Sequence, residues 1–173
     1  MRCSANGWMF DSLEETERVA GLSASITHNH PEGIKGAQST AAAIFMARNG
    51  KSKEEIREYI STKYGYDLNR TCDEICPVYE WDSSCQGTVP EAMVAFFDST
   101  DFESAIRLAV SLGGDSDTLA CITGGIAEAF YKEIPDDIAM KIWGLIPEDF
   151  KDIFRKMEAR TSYRLPSVLN REK

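Results

Sequence analysis

Between Gly113 and Gly125 the chain reads GGDSDTLACITGG, which crowds two carboxylates and a hydroxyl into the four residues Asp115 to Thr118. Hard oxygens on one side of a tight turn suit magnesium or manganese. Three ligands leave an octahedral shell incomplete, so the remainder must come from elsewhere or from water. The same residues also suit a plain structural role. Asp115 or Ser116 can cap the amides of a following helix, and first-turn acids sit well against its dipole. The helix behind the turn is built of Ala120, Gly124, Gly125, Ala127 and Ala129. Each glycine there costs about 1 kcal/mol relative to alanine. Close helix packing that holds the turn rigid at the floor of a pocket would offset that cost.

A second stretch, THNHPEGIKGA at 27–37, places both histidines of the chain, His28 and His30, just before a helix opened by Pro31. First-turn amides there can receive an anionic group such as a phosphate, and a polar interhelical turn is the alternative. An H-x-H zinc site lacks a carboxylate or thiol at a recognisable partner spacing. Cys72, Cys76 and Cys85 share one segment and could hold a metal, but their spacing matches no familiar zinc pattern. With Cys3 and Cys121 they make five, an odd number that fits free thiols better than a disulfide frame.

The elements that must position these residues read as helices. Ser12 with Glu15 boxes a helix over about 13–26, Pro31 opens one over about 32–48, and Ser52 with Glu55 boxes a third that Gly65 ends. From Tyr66 to Thr88 periodicity is lost, the mark of a functional or covering loop. Pro90 is expected to open the next helix through Phe97, and Thr100 with Glu103 to box another to Leu112. The quoted acidic stretch follows, then helices started by Pro135 and Pro147 and a frayed end at SVLNREK. The expectation is one all-α domain over 1–173, a compact multi-helix bundle.

Composition narrows the function. There are 19 Lys and Arg against 28 Asp and Glu, a formal charge of −9, which argues against a nucleic-acid partner. The longest apolar run, AAAIFMA at 41–47, falls far short of the roughly 20 residues that span a bilayer. No membrane association is expected, and a cytoplasmic location is.

Taken together, the two stretches resemble the ADP-ribosylglycohydrolase family, which includes the dinitrogenase reductase-activating glycohydrolases. GGDSDTLACITGGIAEAFY is similar to the family signature GGDxDTxAxxxGxxA, THNHPEGIKGA to a second block, and Met1-Arg2 to the end of a G-x-G-x-x-M-R loop. The resemblance implies an all-helical fold with two magnesium ions that hydrolyses the bond at the anomeric carbon of the distal ribose of an ADP-ribosyl group. It makes Asp115, Asp117 and Thr118 metal ligands, and sets Arg2, Thr27, His28, Gly114 and Ser116 against the substrate. It assigns no catalytic residue. Lys132 stands where the family commonly has glycine. The family's acidic block and T-D-D-T block have no counterpart here, so an N-terminally truncated, impaired enzyme is expected, with a surface open to self-association or to a complementing chain. The alternative is a non-catalytic module that binds ADP-ribose, a nucleotide or a partner protein.

Overall fold

The computed structural model describes residues 2–170, so Met1 and residues 171–173 lie outside the described residues. Ten α-helices and one 3-10 turn make up the architecture, with no strand among the described residues. The fold is all-α, as the helical spacing predicts. Two compact units divide between Lys132 and Glu133. None of the helices described is long and apolar enough to cross a membrane.

The first unit holds α1 (Ser4–Met9), α2 (Leu13–Ser25), α3 (Pro31–Arg48), α4 (Lys53–Tyr64), α5 (Cys72–Ile75), α6 (Cys85–Asp98), α7 (Phe102–Ser111) and α8 (Ser116–Tyr131). At its centre lies α3, packed by α1, α2, α4, α6 and α8. Such crowding requires small side chains, and Ala41, Ala42, Ala43 and Ala47 are all buried. Glycines extend the close approach. A Cβ on Gly7 of α1 would lie 2.4 Å from Ile44 Cγ2, and one on Gly125 of α8 would lie 3.0 Å from Ser4 Oγ. The glycines of α8 are thus accounted for by contact, Gly124 against Ile106 of α7 and Gly125 against α1 and α3.

Buried polar ties hold the outer helices. Glu17 of α2 accepts hydrogen bonds from Tyr59 Oη, Tyr64 Oη and Lys63 Nζ of α4, and Glu91 of α6 receives both arms of the Arg70 guanidinium. Lys53 Nζ donates to the carbonyls of Phe97 and Ser99 at the end of α6 while lying over the Phe96, Phe130 and Tyr131 rings. The second unit comprises α9 (Asp136–Leu145), α10 (Glu148–Arg160) and the 3-10 turn Ser167–Asn170, joined through the Trp143, Phe154 and Tyr163 rings.

Several element ends differ from the sequence expectation. The aperiodic segment 66–88 contains α5, capped by a Thr71–Glu74 box. Helix α6 starts at Cys85, so Pro90 lies inside it and forgoes one intrahelical bond. Its cap is Ser84, whose hydroxyl accepts from the Gly87 amide. Position 87 is a glycine, so no side chain reaches back to complete a box, and a Cβ there would sit 1.8 Å from Asp82 Oδ2. Helix α7 is boxed by Asp101 and Ser104 rather than by Thr100 and Glu103. The short α1 was too brief to show a period.

Lys132 closes α8 with φ of 58°, the one non-glycine residue with positive φ among the described residues. A side chain there is strained, which explains the preference for glycine. Lys132→Gly is expected to raise the unfolding free energy by about 1 kcal/mol in urea titration, with an unchanged far-ultraviolet spectrum.

Candidate functional site

A cavity of about 370 Å³ opens in the first unit, within the usual size range of a small-molecule site. Its walls are the C-terminal half of α2 (Ala20, Ser23, Ala24), the first half of α3 (Gly33, Gly36, Ala37, Thr40), the start of α6 (Ser84, Cys85, Thr88) and the start of α8 (Asp115, Thr118, Ile122). Arg2 and His28 complete it. Three helices therefore bring their N-terminal ends to one space, and unsatisfied first-turn amides with the positive end of each dipole favour a negatively charged ligand.

The acidic turn is built by two glycines in left-handed conformation, Gly113 (φ 79°) and Gly114 (φ 57°). A Cβ on Gly114 would approach Tyr79 Cε1 to 2.7 Å, so Gly114 serves here by admitting the Tyr79 ring, and it does not line the cavity. Asp115 occupies the N-cap position of α8 but makes no side-chain cap bond. Its carboxyl instead lies within hydrogen-bonding reach of Asp117, and this contact, with the Thr118 amide donating to Asp117 Oδ1 at 3.0 Å, holds the Asp117 carboxyl below its ordinary range. Two carboxylates this close together form a place where a cation would be welcome. Asp115 and Thr118 face the cavity, whereas Asp117 is exposed beside it and Ser116 begins the helix without lining it.

On the opposite wall the Arg2 guanidinium donates to Thr27 Oγ1, which lies 2.8 Å from His28 Nδ1. Thr27 thus stands behind the lining, and Arg2 and His28 form it. His28 is held at its backbone, where its amide donates to the Ala24 carbonyl at 2.8 Å and its carbonyl accepts from the His30 amide. Gly33 leaves room for this turn, since a Cβ there would meet His28 O at 2.8 Å. His30 points elsewhere: its Nδ1 caps α3 by accepting from the Glu32 amide.

Sequence reasoning missed the contribution of segment 82–88. Asp82 accepts from the Ser84 amide, which depresses its pKa, and its backbone carbonyl accepts from Thr88 Oγ1. Three consecutive capping types, Asp82, Ser83 and Ser84, were the available signal. The thiols serve other ends. Cys3 is buried, which pushes its pKa up, Cys85 lines the cavity, and all five cysteines are free. Among the described residues no group of three or more His, Cys, Asp or Glu side chains is placed to hold a metal ion.

A sequence model described as ADP-ribosylglycohydrolase matches residues 1–162. An uncharacterised protein of Archaeoglobus fulgidus is 32% identical over 151 residues, covering 79% of this chain and 50% of that protein. The ADP-ribosylarginine hydrolase Tri1 of Pseudomonas putida is 30% identical over 116 residues, 62% of this chain and 30% of its own length. The human ADP-ribosylhydrolase ARH3 is 26% identical over 176 aligned positions, 76% of this chain and 48% of its own. The chain spans about half the length of the relatives it matches most fully.

Because Asp115 caps nothing, Asp115→Ala is expected to shift unfolding free energy by less than about 0.5 kcal/mol, where a true cap would lose about 1 kcal/mol. Thermal and urea denaturation of the two proteins side by side decide between these values.

Proposed function

The chain belongs to the ADP-ribosylglycohydrolase family, and we propose that its cavity takes the ADP-ribosyl group of a modified acceptor for hydrolysis at the anomeric carbon of the distal ribose. The observation that carries this reading is the meeting of His28 and Arg2 with Asp115 and Thr118 across one cavity rimmed by three helix N-termini. A diphosphate needs the positive helix ends and Arg2, and a sugar needs hydroxyl and imidazole partners. The relatives named for ADP-ribosylarginine and ADP-ribosyl hydrolysis support the same substrate class.

The residues present fit one divalent ion. Asp115 and Asp117 lie within reach of each other, neither caps its helix, and Thr118 stands beside them facing the cavity. These three would hold Mg2+, or Mn2+ in its place, with the rest of the shell drawn from water or from donors outside the described residues. A bound ion would supply charge neutralisation and a more acidic water. The residues of this chain do the positioning: Arg2 and the amides at the starts of α3 and α6 orient the diphosphate, and His28 contacts its oxygens. Five free thiols fit a reducing compartment such as the cytoplasm.

Three oxygen ligands from one turn hold magnesium weakly, and a second ion finds no comparable set among the described residues. Hydrolysis by these 173 residues alone is therefore expected to be slow. Calorimetric titration with ADP-ribose tests the reading: binding should occur, tighten with Mg2+, and lose that increment in Asp115→Asn. Absence of ADP-ribose binding with or without Mg2+ would sink it. Binding indifferent to Mg2+, with no release of ADP-ribose from an arginine-linked substrate, would favour the non-catalytic binding module instead.

A further inference from the structure

The wall opposite the acidic turn carries a chain of three side chains whose hydrogen count has a consequence for the ligand. Arg2 can only donate, so its hydrogen bond to Thr27 Oγ1 uses a lone pair of that hydroxyl. The hydroxyl has one hydrogen to place. Among the described hydrogen bonds, its other side-chain partner is His28 Nδ1, 2.8 Å away. If the hydroxyl donates, Nδ1 must be the bare nitrogen and the ring proton resides on Nε2. The reverse arrangement would turn two donors, one of them cationic, onto the same oxygen and leave the hydroxyl hydrogen without a described acceptor.

We propose that Arg2 and Thr27 are positioning residues that lock His28 in the tautomer with its proton on Nε2, so that the ring meets the ligand as a hydrogen-bond donor. The backbone supports the lock. The turn is tied by the His28 amide to Ala24 and by the His30 amide to the His28 carbonyl, and it rests against Gly33. A neutral imidazole fixed as a donor selects oxygen acceptors, such as phosphate or ribose oxygens, over donors. Only the identity of the ligand rests on the ADP-ribose reading; the relay itself is a property of the free protein.

The chain has two histidines, so His30→Asn, which keeps a capping residue on α3, leaves one imidazole to observe. The 15N-labelled 173-residue chain carrying that change is studied by two-bond proton–nitrogen correlation, well above the ordinary imidazole pKa of about 6.5. The expected pattern is the Nε2–H tautomer. Thr27→Val should give a mixture of tautomers, Thr27→Ser should restore the single form, and Arg2→Met should loosen it. An Nδ1–H pattern in the parent, or a pattern unchanged by both Thr27→Val and Arg2→Met, overturns the proposal. Thr27→Val should also weaken ADP-ribose binding by roughly threefold to tenfold, the effect of one hydrogen bond. A tautomer shift without any ADP-ribose binding in the parent upholds the relay and rejects the substrate reading.

Discussion

Everything in the first unit depends on how near other helices can come to α3. A run of alanines on α3, with glycines facing it from α1 and α8, replaces side-chain volume with direct backbone approach. Dispersion contacts are short-ranged, so such packing allows few alternative arrangements. The positions of the helix ends follow from it. Because α6 and α8 both pack on α3, their N-termini arrive beside the first turns of α3, and the cavity is the space that these starts enclose. The small residues make up for their low helix propensity by fixing that geometry.

The cavity that results is electrically divided. Amides at the starts of α3 and α6, together with Arg2, make one side attractive to anions. At the start of α8 the same positive dipole end meets Asp115 and Asp117, whose carboxyls lie within hydrogen-bonding reach of each other. Two acids in a first turn are comfortable for the helix, yet Asp115 at the N-cap position makes no cap bond, and Asp117 takes only the adjacent Thr118 amide. Their side chains remain available for something else. A ligand that brings both a diphosphate and a divalent cation, as in the ADP-ribose reading proposed above, would meet a complementary group on each side.

Away from the cavity the polar groups serve stability. Glu17 gathers two phenols and an ammonium, the Arg70 guanidinium holds Glu91 in bidentate fashion, and Lys53 closes the end of α6 over three aromatic rings. In the first two, the buried Glu17 and Glu91 are met by Lys63 and Arg70, whose partial exposure limits the cost of burying charge. They fix α2 and α4 around α3, and α2 in turn carries the wall that ends at Thr27 and His28. The Arg2–Thr27–His28 chain is therefore held on both sides, by α1 ahead of it and by α2 below.

Local signals determined most of the helical architecture. Capping boxes at Ser52 and the N-cap at Ser12, prolines at 31, 135 and 147, and glycine at 65 act through backbone amides a few residues away, so the sequence alone places these ends within a residue or two. The two site blocks stood out by their residue types and by their resemblance to the family, and the small residues at Gly124 and Gly125 pointed to close packing, whereas the left-handed conformation of Lys132 came only with the structure. What remained hidden depended on residues distant in the chain. The role of Gly114 turns on Tyr79, which has no periodic signature, and the close approach of Gly36 turns on Cys85 and Val89 of α6. Asp115 could serve as cap or as partner of Asp117 on local grounds alike, and the structure has it make no cap bond and lie near Asp117. The sequence determined which helices form and which groups could do chemistry; only the packing of α3 decided that Arg2, His28, Asp115 and Thr118, spread from position 2 to position 118, share one cavity, because no local interaction acts over that distance.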